Sequence, residues 1–136
     1  MLYWTGTAQD ALGNSAEARK IWTAAAAGAR GSQAGAQRYY QALALEKLGG
    51  RDKAATMFRG LIDTGTRAIE QRAAVDYFAK FGERQSRRAS VADGHYLAGL
   101  GCLGLRDAAK AGEHFRQAIA QSPDHLGART ALEALK

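Results

Sequence analysis

One spacing recurs three times along this chain and narrows sharply what it can fold into. A small residue (Gly6, Ala42, Gly99) is followed twelve positions later by an alanine (Ala18, Ala54, Ala111). Four positions further on comes a large aromatic (Trp22, Phe58, Phe115). A tyrosine stands three positions before each small residue: Tyr3, Tyr39 and Tyr96. A pattern that returns after a few tens of residues marks a helical repeat array, whose units bury their apolar faces against their neighbours. Arrays of this kind serve as surfaces that hold partners.

Composition agrees with helices. Apolar residues make up 46 % of the 136, and 30 residues are alanine, which suits helices packed closely through small side chains. A β-sandwich would need more Val, Ile and Thr. The single proline, Pro123, leaves room for long uninterrupted helices. Net charge is +6 and the pI about 9.8. That balance permits acidic partners, but a helical scaffold with Arg-rich solvated faces has the same balance. One cysteine, Cys102, excludes an intrachain disulfide framework and a multi-cysteine metal site. No apolar run approaches the roughly 18–20 residues of a membrane span. The start, Met1 to Gly6, lacks the basic and apolar regions of a signal peptide. The expected setting is therefore cytoplasmic, without membrane. Because the repeat pattern is already under way at Leu2, the chain is expected to be part of a longer protein.

Turn residues place the helices. Leu2–Leu12 reads as a helix closed by Gly13, with Asn14 capping the next and Glu17 completing a capping-box pattern. The second helix carries Ala18, Ile21, Trp22 and Ala25 on one face and ends near Gly28–Gly31. A third runs from about Ser32 to Leu48 and stops at Gly49-Gly50; a fourth spans about Asp52 to Ile62. Thr66 to Phe81 reads as a further helix ending at Gly82, before a polar segment, Glu83 to Arg88. Tyr96 to Gly104 is apolar nearly all round, which predicts burial on two sides. Asp107 caps the next helix, with Ala111, Phe115, Ala118 and Ile119 as its stripe. After Ser122-Pro123, Asp124 is placed to cap a last helix through Leu126, Ala128, Leu132 and Leu135, which would cover the end of the array.

The third unit reads Tyr96-Leu97-Ala98-Gly99-Leu100-Gly101-Cys102, then Ala111-Gly112-Glu113-His114-Phe115, Ala118 and Pro123. It resembles the tetratricopeptide repeat, W-x2-L-G-x2-Y, then A-x3-F, then P. Gly99, Ala111, Phe115 and Pro123 match, while His95 stands for the tryptophan and Cys102 for the tyrosine. Ala18/Trp22 and Ala54/Phe58 match in the other units, where Gln9 and Leu45 replace that tyrosine. The resemblance implies an all-α fold: a tetratricopeptide-repeat solenoid of antiparallel helix pairs with a C-terminal capping helix. Its repeats fall at about 1–34, 35–65 and 92–125 of a single domain, with the cap at 124–136. From Ala42 to Gly99 is 57 residues, about 23 more than the family's 34-residue period. The surplus reads as a degenerate helical insert, 66–91. A narrower likeness lies in Asp76-Tyr77-Phe78, Phe81-Gly82-Glu83-Arg84 and His95 through Leu105. These are similar to the C-terminal repeats of large bacterial proteins of unknown function that also carry a β-sandwich domain similar to sugar mutarotases.

In the tetratricopeptide family the register of Tyr3, Tyr39 and Tyr96 lines the concave groove, so the resemblance implies a tyrosine ladder that binds a peptide or protein. Family members that clamp a C-terminal carboxylate use a lysine in this register and an asparagine one turn on. Here the latter sites hold Thr7, Leu43 and Leu100, which argues against that activity. Arg84, Arg87 and Arg88 form the densest basic cluster, a patch for an anion or acidic partner or else a solvated segment. No nucleic-acid motif accompanies it, and no specific nucleic acid is expected. His95, His114 and His125 lie on different elements, none with a second ligand at metal spacing, so no metal site is expected. Cys102 falls on a buried face and reads as core. No constellation points to an enzyme, and no cofactor is expected. The leading expectation is an interaction module that binds a peptide or protein, with a homodimer allowed. The alternative is a spacer or dimerisation element of a larger, carbohydrate-associated bacterial protein.

Overall fold

The computed structural model describes residues 2–27, 35–73 and 81–135. These form seven helices and no strand: α1 (Leu2–Ala11), α2 (Ser15–Ala27), α3 (Gly35–Lys47), α4 (Arg51–Ala73), α5 (Phe81–Gly104), α6 (Ala108–Gln121) and α7 (Leu126–Ala134). The chain divides into two compact units, Met1–Phe58 and Arg59–Lys136.

The same turn is built three times. Seven residues after each small residue the backbone turns left-handed, at Gly13 (φ 85°), Gly49 (φ 92°) and Arg106 (φ 66°). The following amide then reaches back five residues: Asn14 N to Gln9 O, 2.9 Å; Gly50 N to Leu45 O, 2.8 Å; Asp107 N to Cys102 O, 2.9 Å. This is the Schellman closure of a helix C-terminus, and glycine suits its left-handed residue because it has no β-carbon to clash. The same three residues start the next helix, since the Asn14, Gly50 and Asp107 carbonyls accept from Ala18, Ala54 and Ala111. Asp107 is the cap read from the sequence, its carboxylate accepting from the Lys110 amide at 3.2 Å. Asn14 stands before α2, but its side-chain amide donates to Gln9 Oε1 at 2.8 Å.

In the first unit α1 packs on α2 and α2 on α3. Tyr3, Ala18, Trp22 and Ala44 form its core, flanked by Ala25, Ala26, Tyr40, Leu43 and Leu48. A β-carbon on Gly6 would stand 2.5 Å from Trp22 Nε1, so the indole fills the space that glycine leaves. In the second unit α5 packs on α6 and α6 on α7. Gly99 meets Phe115 in the same way, at 2.5 Å from Cε1, and Phe115 is wholly buried. The small-residue and aromatic spacing of the sequence is thus a direct contact in both units.

The long interval departs from expectation. Helix α4 runs unbroken past Ile62 to Ala73, and α5 starts at Phe81, so Glu83 to Arg88 is helical rather than a polar break. No proline interrupts either stretch, and Glu, Arg and Gln are adequate helix formers. Gly65, between the two helices expected at about 52–62 and 66–81, is buried inside α4: a β-carbon there would overlap the Gly94 carbonyl and stand 2.8 Å from Ala98 N. Gly94 in turn lies against Gly65 and Ile69. As the α4 positions rise from 65 to 69, their α5 partners fall from 98 to 94, so the two helices run antiparallel in close backbone contact. The surplus chain therefore lengthens α4 and α5; residues 74–80 between them, part of the expected 66–81 helix, lie outside the described residues.

Helix α7 packs on α6 and reaches α5, with a Gly127 β-carbon position 2.8 Å from Tyr96 Cζ and Leu135 Cδ1 3.7 Å from that of Gly112. Its N-cap is His125 rather than Asp124: Nδ1 accepts from the Ala128 amide at 3.1 Å, while Nε2 meets Asp93 Oδ1 at 2.9 Å. An imidazole accepting at Nδ1 carries its proton on Nε2 and donates it to Asp93. That anchoring from α5 fixes His125 as the cap and leaves Asp124 exposed.

Candidate functional site

The three tyrosines of equal register meet different fates. Tyr3 is a core residue, 8 % exposed, with Trp22 Nε1 donating to its carbonyl at 3.3 Å. It is therefore not a rung offered to a ligand, because the Trp22 cluster draws it inward. Tyr96 is half-buried, its ring 6.1 Å from Phe115 and 4.9 Å from His125, so α7 takes up part of its surface. Tyr39, also half-buried, lies 5.9 Å from Phe58 and 5.3 Å from Tyr40.

The exposed aromatic surface lies one residue further along. Trp4 is 55 % exposed, and its ring stands 6.2 Å from Tyr40 and 5.1 Å from Tyr3. Trp4 and Tyr40 each precede the small residue of their unit by two positions, so equal register has brought them side by side. Together with Tyr39 they make a continuous run of rings across α1 and α3 of the first unit. The sequence carried this signal in two units only, since Leu97 holds the register in the third.

Of the basic cluster, Arg88 is exposed on α5. Arg84 and Arg87 belong to the same helix, where spacings of three and four put positions on one face; their side chains lie outside the described residues.

A second constellation was not readable from spacing. His95 on α5 and His114 on α6 are 19 residues apart, yet their Nδ1 atoms stand 3.1 Å apart across the hairpin, and both rings are half-buried. Burial lowers the pKa of both imidazoles below the ordinary 6.5, and the field of His114 lowers His95 further. The pair is thus neutral at pH 7, one ring donating and the other accepting. Cys102 is buried at 4 % exposure, and burial pushes its thiol up, away from nucleophile chemistry. Among the described residues no helix is long and apolar enough to cross a membrane, and no cluster of three or more His, Cys, Asp or Glu is placed to hold a metal.

Comparison with protein-family models, with curated proteins and with solved structures returns no match to this chain.

Proposed function

We propose that the chain is a tetratricopeptide-type interaction module that binds a peptide or protein through the Trp4, Tyr40 and Tyr39 face of its first unit. One observation carries this reading: Trp4 stays 55 % exposed although it sits on a helix whose next residue back is core. Leaving a large ring in water forgoes the free energy that its burial would supply. Tryptophan and tyrosine flanking one another are the side chains that most often dominate binding at interfaces. The hairpin scaffold supports the reading because it holds Tyr40 on a core-packed helix, so a partner would meet preformed rings and little ordering would be needed.

The test is selection of peptide ligands from a displayed random library, followed by affinity measurement on variants. Trp4→Ala should weaken the selected ligands at least tenfold, about 1.4 kcal/mol, and Tyr39→Ala should weaken them too. Trp4 being exposed and Trp22 buried, ligand binding should also shield one of the two indoles from a soluble quencher. Ligands that bind the Trp4→Ala and Tyr39→Ala proteins as tightly as the parent would remove this face from the proposal.

A further inference from the structure

We propose that the outer face of α1 is a dimerisation surface that pairs with the same face of a second copy of this chain. Its residues are Trp4, Ala8, Ala11 and Leu12, at the i, i+4, i+7, i+8 spacing of one helix face, and all four are exposed. Leu12 continues the last turn of α1, its amide donating to the Ala8 carbonyl at 3.1 Å. Trp4 is 55 % and Leu12 74 % exposed, and Asp10 is the one charged residue of the helix.

The repeat shows what such a stripe is built to do. Tyr40, Ala44 and Leu48 of the α3 repeat stand in the register of Trp4, Ala8 and Leu12: two before, two after and six after the small residue. Ala44 belongs to the core of the first unit, and Tyr40 and Leu48 pack against that core. On α5 the middle position of the stripe, Gly101, is buried too. On α1 the middle position, Ala8, faces water. The stripe is thus a helix-packing surface, used inside the chain by α3 and left uncovered on α1.

A second copy is the occupant that fits. The stripe runs large, small, large about Ala8, so a twofold axis there sets Ala8 against the partner's Ala8 and Trp4 against the partner's Leu12. Small side chains at the crossing let two helices approach closely while the large ones flank it. Head-to-tail pairing finds no free acceptor among the described residues. The Tyr3 and Trp22 core already receives α3, and Tyr96 in the second unit is met by Gly127 of α7. Face-to-face pairing needs only the uncovered stripe and closes on itself. A helix of ten residues is about 15 Å long, so two of them bury well under the roughly 1,600 Å² of a standard interface. The dimer is therefore weak and forms with concentration. This proposal rests on the reading of Trp4 as a binding residue and names the protein it meets.

The experiment is sedimentation equilibrium of the tag-free full chain at pH 7.5, at concentrations up to about 1 mM. A monomer–dimer equilibrium with a dissociation constant on the order of 100 µM is expected. Leu12→Glu, at a position too exposed to disturb folding, should weaken it at least tenfold. Ala8→Cys should cross-link to its copy under mild oxidation, whereas Ala109→Cys, exposed on α6, should not; Cys102 is buried and takes no part. A chain that stays monomeric throughout, a dimer that Leu12→Glu leaves intact, or equal cross-linking at both positions would each overturn the proposal. Leu12→Glu keeps Trp4, Tyr39 and Tyr40, so peptide ligands of that face should still bind it. A monomeric parent with Trp4-dependent ligands rejects the second copy and keeps the peptide face. A dimer lost in Leu12→Glu, with no Trp4-dependent ligand found, does the reverse.

Discussion

Replacing Gly99 by alanine tests the contact on which the hairpin rests. In an exposed helix interior this substitution stabilises, by up to about 1 kcal/mol, because alanine loses less backbone entropy than glycine. Gly60 supplies that case: a β-carbon there meets nothing within 4 Å, so Gly60→Ala should stabilise by about 0.5–1 kcal/mol. At Gly99 the new methyl would stand 2.5 Å from Phe115 Cε1, 2.7 Å from Cδ1 and 3.1 Å from Cζ. Carbon atoms rest about 3.5–4.0 Å apart, so the ring is too near by roughly 1 Å. Phe115 is wholly buried and has no solvent side to swing into. The hairpin must widen or the ring must leave its rotamer, an overpacking cost of about 2–3 kcal/mol.

Against the propensity gain, Gly99→Ala should lose a net of about 1–2 kcal/mol. At roughly 4 °C per kcal/mol for a chain of this size, the melting temperature should fall by about 4–8 °C. Thermal and urea melts followed by circular dichroism measure it. Phe115→Leu should partly rescue the variant, so the double substitution should cost less than the sum of the two singles. Ala42, wholly buried at the same register of the second sequence repeat, shows that a methyl is admissible where a hairpin is built around it. The loss is thus one of fit, not of fold. A Gly99→Ala protein as stable as Gly60→Ala would refute the close approach.

Two further outcomes follow from the same packing. Phe58, 1 % exposed and carrying the Tyr39 ring at 5.9 Å, should cost about 3–5 kcal/mol on truncation to alanine, measured by urea denaturation. Stability should also fall with acid: the unfolded histidines take up protons near pH 6.5 while folded His95 and His114 stay neutral to lower pH. The unfolded state then binds more protons, so stability drops as pH falls below about 6.5 and levels off below the folded values. Urea midpoints from pH 7.5 to 5 should show this, and a midpoint that rises with acid would contradict it.

What was legible in the sequence was local. Gly13 and Gly49 announce their turns because glycine is the usual left-handed residue after a helix; Arg106 makes the same turn without that mark, and the adjoining Asp107 cap located it. Gly65 shows the complementary case, a glycine inside one continuous helix where two helices were expected. A glycine that ends a helix and one that lets two helices touch look alike until the partner, here Gly94 and Ala98, is known. The candidate sites divide in the same way. Trp4 and Tyr40 share a register that the sequence displays, whereas the exposure of Trp4 depends on which face α1 buries. His95 and His114 are joined by the α5–α6 pairing alone, and a separation of 19 matches no ligand spacing within one element.

The positions at which the units agree are those the hairpin needs: the small residue, the left-handed turn, the alanine and the aromatic. Where they differ, folding leaves the choice open, and a costly residue there calls for another reason. Half-burying two polar rings at positions that hold Leu2 and Ile21 in the first unit is costly in this sense. Replacing both, His95→Leu with His114→Ile, transplants the first unit's pair into the third. The exchange should raise the melting temperature, most of all below pH 6.5, because neither of these two imidazoles remains to be protonated on unfolding. A double variant less stable than the parent at pH 7.5 would show instead that the histidine–histidine hydrogen bond holds the hairpin better than apolar packing does.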